Sequence, residues 1–111
     1  MIVEMNLIEP YFESLKYGYK DIEIRLLDEK RKKISVGDTI IFKCNSHEIT
    51  TEVVNLSIYT TFEKLVDDVE INRTGNFLSK DDLLKTLNTI YSEEKRNKYN
   101  AIAIKVKNIS N

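Results

Sequence analysis

Hydrophobic and polar positions change their spacing several times along the 111 residues. Val3, Met5 and Leu7 alternate with polar residues, the period-two pattern of a half-buried strand. Pro10 then falls where the first turn of a helix tolerates a missing amide hydrogen, Phe12 and Leu15 mark the inward face of that helix, and Gly18 ends it. Ile22, Ile24 and Leu26 alternate with Glu23 and Arg25, which predicts a strand with the aliphatic residues on one face and the charged pair on the other, facing out. Asp28 opens a polar, helical turn through Lys33, and Val36-Gly37-Asp38 reads as a tight turn into a strand from Thr39 to Cys44. Asn45-Ser46 predicts a hairpin turn, followed by a long β-rich stretch from Glu48 to Tyr59.

The second half turns helical before its final strand. Thr60 or Thr61 can cap a helix carrying Phe62, Leu65, Val66 and Val69, and Ser79 another carrying Leu83, Leu84, Leu87 and Ile90. Ser92 caps a third, short helix from Glu93 to Lys98, and Ala101 to Val106 closes the pattern as a strand. Between the first two of these helices, Glu70 to Gly75 reads as a loop. The tally predicts an α+β fold: a small β-barrel or curved sheet of about five or six mainly antiparallel strands decorated by helices, forming one domain over residues 1–111.

Composition narrows the class. Hydrophobic residues are 41% and charged residues 32%, with 3 Gly and 1 Pro, which fits a folded chain rather than a linker or fibre. The lone Cys44 can form no internal disulfide and no Cys-rich zinc site, and the single His47 rules out a multi-histidine centre, so neither a metal nor another cofactor is expected. Without a basic-plus-apolar leader or an apolar run of membrane-spanning length, a reducing cytoplasmic location and no membrane partner are the expectation. The net charge of −1 hides an uneven distribution: residues 20–33 carry a net +2 and residues 83–111 a net +4. Brought together, two such segments would make a basic face on a protein of neutral average. The alternative is that these cations solvate helix and strand edges.

No Walker loop, dinucleotide glycine fingerprint or nucleophile elbow is present. The chemistry concentrates instead in KYGYKDIEIRLLDEKRKKISVGDTIIF, residues 16–42. After the turn at Gly18, Lys20 supplies a mobile cation, Arg25 a planar fork for a phosphate or base edge, and Glu23 an acceptor for base amino groups, with Asp28 close behind. The competing reading is a surface salt-bridge set that ties a strand to a turn. Tyrosines accompany the basic segments, and Tyr19 and Tyr91 are the candidates for stacking a base.

The run from Gly18 through Phe42, with its glycine-then-lysine, Glu-Ile-Arg strand, Asp28-Glu29-Lys30-Arg31 and Val36-Gly37-Asp38 turn, resembles the signature of the ASCH family. The segment Ile90-Tyr91-Ser92-Glu93-Glu94-Lys95 with Lys98-Tyr99 resembles the family's closing segment, although Asn100 stands where relatives carry glycine. The likeness covers roughly residues 5–106. It implies a PUA-like β-barrel with a cleft beside the first motif and a role in binding RNA or nucleotides. The residues themselves make Lys20, Glu23, Arg25 and Asp28 the expected contacts to RNA or a nucleotide or nucleoside, with Tyr19, Tyr91 and Lys95 beside them.

Two enzymatic activities in the family imply an alternative, a metal-independent hydrolase with Lys20 and Glu23 as catalytic residues. Members that remove the acetyl group of N4-acetylcytidine use a lysine, a threonine and a distant glutamate. Lys20 matches the lysine, Glu23 occupies the threonine position, and Asn76 is a candidate for the glutamate position, so that mechanism does not carry over intact. In a ribonuclease, Lys20 would stabilise the pentavalent phosphate while Glu23 accepted the 2′-hydroxyl proton. A regulatory protein-interaction module, with the charged cluster purely structural, is the third reading.

Overall fold

The structure is a computed structural model and describes residues 1–110. Five strands form one sheet: β1 (Ile2–Asn6), β2 (Ile22–Leu26), β3 (Thr39–Cys44), β4 (His47–Tyr59) and β5 (Ala101–Asn108). Four helices accompany them: α1 (Glu9–Lys16), α2 (Phe62–Asp68), α3 (Lys80–Ile90) and α4 (Glu93–Lys98). The spatial order is β1-β3-β4-β5-β2, with β1 parallel to β3 and the other three pairings antiparallel. The sheet curls into a half-barrel, an α+β arrangement as the hydrophobic pattern predicts. None of the described helices is long and apolar enough to cross a membrane.

The expected caps form. The Thr61 and Ser79 side chains accept from the backbone N–H groups of Lys64 and Asp82, and Ser92 accepts from Lys95, each satisfying a donor that the first helical turn leaves unpaired. The polar turn from Asp28 is shorter than expected. Its helical part is a 3-10 turn over Arg31–Lys33, held by Asp28, whose carboxylate accepts from the Arg31 backbone at 3.0 Å. The loop after α2 contains a second such turn, Ile71–Arg73. At the end of α3, Ile90 is exposed rather than inward.

Two apolar clusters sit on opposite faces of the sheet. One fills the concave side, where Met5, Phe42, Ile102 and Ile104 pack with Phe12 and Leu15 of α1. The other lies between the outer face and helices α2 and α3, and includes Ile22, Ile24, Leu26, Phe62, Leu65 and Leu83. Both faces of β2 are therefore covered. In the β2–β5 register, Glu23 lies across from Ile104 and Arg25 across from Ile102, both of the concave cluster. The expected outward position of the charged pair is thus corrected: Glu23 is 6% exposed and Arg25 is half-buried. Alternation in a strand assigns side chains to two faces, but which face meets water depends on what the rest of the chain packs there.

Between α1 and β2 the chain reverses in a few residues. Gly18 adopts φ +85°, and the Tyr19 and Lys20 backbone N–H groups both return to the Ser14 carbonyl, at 2.9 and 3.0 Å. That return aims the Lys20 side chain under β2. A Cβ on Gly18 would touch nothing within 4 Å, so the turn depends on glycine through its dihedral angle alone. Gly18→Ala should therefore cost about 1–2 kcal/mol from left-handed backbone strain. Urea denaturation checks this, and an unchanged midpoint would show that the turn does not require glycine.

Candidate functional site

Burial of Lys20 sets the geometry of the site. Its ammonium group is 5% exposed at the residue level and has three hydrogens to place. It donates to the Ile22 carbonyl at 2.8 Å and the Thr74 carbonyl at 2.7 Å, and lies 3.0 Å from Glu23 Oε1. The three partners come from the start of β2, the loop after α2, and mid-β2. All three hydrogens are engaged, so the mobile cation expected at this position is a fixed one.

Arg25 completes the cluster. Its Nε donates to Glu23 Oε2 at 2.7 Å, and Nη2 lies 2.7 Å from the same oxygen while donating to the Asn6 carbonyl at 2.8 Å. This second bond reaches across a gap, because β1 and β2 are the two edges of the half-barrel and share no ladder. Burial alone would raise the Glu23 carboxyl, but the charges of Lys20 and then Arg25, with their hydrogen bonds, outweigh it and hold the group below its usual value. Burial likewise opposes the Arg25 charge and is outweighed by Glu23, so the guanidinium stays ionised. The cluster is two cations about one carboxylate.

Above it opens a cleft of about 260 Å³ at the seam between the edge strands and α3. Its polar floor is Lys20, Glu23, Arg25 and Thr74, and most of its wall is apolar. Tyr11 and Phe77 stack there with ring centroids 5.7 Å apart and planes 28° from parallel, and the Lys20 ammonium lies 5.8 Å from the Tyr11 ring centre. Tyr91 also lines the cleft, braced by Phe62 with centroids 5.5 Å apart. Burial and the Glu23 charge raise the Tyr11 hydroxyl, and burial first raises that of Tyr91, so both remain neutral phenols at physiological pH.

Four of the seven expected binding residues, Lys20, Glu23, Arg25 and Tyr91, meet in this cleft. The other three do not. Tyr19 is 72% exposed and lies outside it, while the next residue, Lys20, is buried. Asp28 is occupied with Arg31, whose Nη1 donates to its Oδ2 at 2.9 Å. Lys95 projects from the exposed surface of α4. Asn76 is exposed and is not part of the lining, whereas its neighbour Thr74 reaches Lys20 with a main-chain oxygen.

Tyr11, Phe77 and Thr74 are cleft residues that the sequence pattern alone does not single out. Tyr11 had a signal, since it stands four residues before the buried Leu15 and so shares a helix face with it. Phe77 is an aromatic residue isolated in a polar loop. The Thr74 contribution, a carbonyl, leaves no trace in residue identity.

The family model for the ASCH domain matches residues 5–110. The chain belongs to the ASCH domain family. Its α+β half-barrel is the PUA-like fold expected from the Gly18–Phe42 motif. This ASCH domain is similar to the crystal structure of hypothetical protein PH0355, at 35% identity and a TM-score of 0.88, over 98% of this chain and 100% of that one. It is also similar to the solution NMR structure of protein PF0455 from Pyrococcus furiosus, at 30% identity and a TM-score of 0.80, over 100% of both chains. No curated protein matches it.

The buried carboxylate makes the ASCH domain sensitive to acid in a defined direction. A carboxyl whose folded value is depressed contributes stability above its unfolded value, ordinarily 4.5, and that contribution disappears as pH falls through the lower folded value. Urea midpoints of the wild type should decline below about pH 4.5. Glu23→Gln should lose about 3–5 kcal/mol at pH 7, the cost of breaking a buried ion pair by removing one partner, and should show a shallower acid decline. Equal acid slopes for the two proteins would contradict the assignment of a depressed value to Glu23.

Proposed function

We propose that the protein binds RNA or a nucleotide by taking a single base, or nucleoside, into the cleft over Glu23. One observation carries the reading: an ionised carboxylate, held between two cations, forms the floor of a small cleft whose walls are aromatic and aliphatic. An ionised carboxylate only accepts hydrogen bonds, so it suits the amino or imino N–H of a base edge. Arg25 Nη1 donates to no protein group among the described residues and offers a donor beside that acceptor for a ring nitrogen or carbonyl. Tyr11, Phe77 and Tyr91 supply the flat apolar surface that a heterocycle stacks against. The cleft volume of about 260 Å³ falls just under the roughly 300–1,000 Å³ typical of drug-sized ligand sites, which favours one ring system over a longer chain.

The same geometry favours binding over hydrolysis. Glu23, depressed by two neighbouring cations, is a weak proton acceptor, and Lys20 has no uncommitted hydrogen for a phosphate oxygen. The membership in a family with a PUA-like fold often associated with RNA adds to the base-binding reading.

Calorimetric titration with adenosine, cytidine, guanosine and uridine tests it. At least one should bind, and Tyr11→Leu, which keeps the bulk of the wall but removes the ring face, should weaken that binding by about 1–3 kcal/mol, the worth of one stacked base. Absence of binding by all four, or affinity indifferent to both Tyr11→Leu and Glu23→Gln, would reject the reading.

A further inference from the structure

On the other flank of Lys20 lies a second depression, about 550 Å³ in volume, between the end of α1 and the last residues of β5. Lys20 lines both, so the two depressions meet at this residue. The second depression has a different chemistry. Its charged lining is Lys16, Lys105 and Lys107, and its one acid, Asp21, is held by Arg73. Among the described residues, none of these three lysines has a carboxylate oxygen within 4.0 Å. Glu52 stands opposite Lys107 in the β4–β5 register but makes no ion pair with it.

The arrangement follows from the alternation of β5. Ala101 and Ala103 occupy the face that α2 and α3 cover, and Lys105 and Lys107 continue the same face beyond them. Two lysines at i and i+2 on a strand are spaced by about 6.7 Å, close to the separation of successive phosphates in an extended single strand. Tyr17, 62% exposed, adds an open ring beside Lys16, whose ammonium lies 5.5 Å from its centre. Flexible ammonium groups bind as point charges and suit a repeating anion better than a single oriented one.

We propose that this groove carries the phosphodiester backbone of a single-stranded nucleic acid whose base enters the cleft, the two depressions forming one site that is continuous past Lys20. The inference rests on the base-binding reading of the cleft and extends it: the ligand is a strand, not a free nucleoside. The cleft contributes base recognition and the lysines contribute salt-dependent affinity.

Fluorescence anisotropy with a 5′-labelled, mixed-sequence hexaribonucleotide, and with its deoxy counterpart, compares the wild type with the triple variant K16A/K105A/K107A across about 50–200 mM salt. The triple variant should bind at least tenfold more weakly at low salt, and its slope of log affinity against log salt should be smaller by about 2, from three phosphates at roughly 0.7 each. A control triple variant, K33A/K64A/K85A, removes the same charge from exposed positions outside both depressions and should bind as the wild type does. The four free nucleosides, titrated in parallel, should bind the wild type and K16A/K105A/K107A equally. Hexamer affinity and salt slope unchanged in K16A/K105A/K107A, or reduced equally in the control, would overturn the groove while leaving the cleft reading intact. Lysine-dependent hexamer binding with no nucleoside binding would overturn the continuous site and the cleft reading together. Preference between the two hexamers identifies whether the strand is RNA or DNA.

Discussion

The Lys20 ammonium is the knot of this structure. An amine taken out of water has to be surrounded by acceptors, and here they come from Ile22, Thr74 and Glu23, so one cation ties the end of the α1 turn, the β2 strand and the loop after α2. The ties are mutual. The Asp21 backbone N–H donates to the Arg73 carbonyl at 3.0 Å and the two side chains pair, which fixes the loop so that the Thr74 carbonyl faces Lys20. Thr74 itself is 2% exposed, with its hydroxyl donating to the Ile71 carbonyl at 2.7 Å. Such a cluster is a weak source of net stability, because desolvation offsets most of the attraction, but it is intolerant of losing a member. Its contribution is to hold a carboxylate in one place and in one ionisation state.

The position of that carboxylate follows from how the half-barrel ends. Met1 and Leu7 direct their backbone groups to β3, so by alternation Glu4 and Asn6 turn theirs to the open edge of β1. An exposed strand edge is a template for unwanted pairing. Here side chains occupy it: Lys30 Nζ donates to the Glu4 carbonyl and Arg25 Nη2 to the Asn6 carbonyl, each at 2.8 Å. Spanning the seam with side chains rather than a ladder leaves room between β1 and β2, and that room becomes the cleft. Arg25 thus serves two ends, closing an edge and fixing Glu23.

Much of this was legible in the residues, for identifiable reasons. Local rules read well: Gly18 at a positive φ, Thr61, Ser79 and Ser92 as caps, and five alternating strands all depend on neighbours within a few positions. What long-range packing decides did not read. Alternation places Glu23 and Arg25 on one face of β2, but that this face is covered depends on α1 and the curl of the sheet. Tyr19, next to Lys20 in sequence, points to solvent, whereas the helix face brings Tyr11 over Lys20 from nine positions away. The positive segment 83–111 also divides on folding. Lys95, Arg96 and Lys98 go to α4, and Lys105 and Lys107 to the groove on the far flank of Lys20.

That division of charge bears on what each depression can hold. In the cleft, the ionised Glu23 offers an acceptor, Arg25 Nη1 a donor beside it, and the Lys20 hydrogens are already engaged, a pairing that matches a base edge with an N–H donor better than a group of acceptors alone. In the groove the balance reverses, with three lysines outside any ion pair among the described residues and a lone carboxylate held by Arg73. The two environments suit different ligand groups, a base edge in one and a phosphate in the other, although Lys20 lines both. On the proposed reading, a nucleotide strand has a single orientation that satisfies both: base toward Glu23, backbone toward Lys105 and Lys107. Lys20 contributes to that separation by being fully satisfied within the protein, because an ammonium with a free hydrogen at the boundary would add one more phosphate donor to the cleft side.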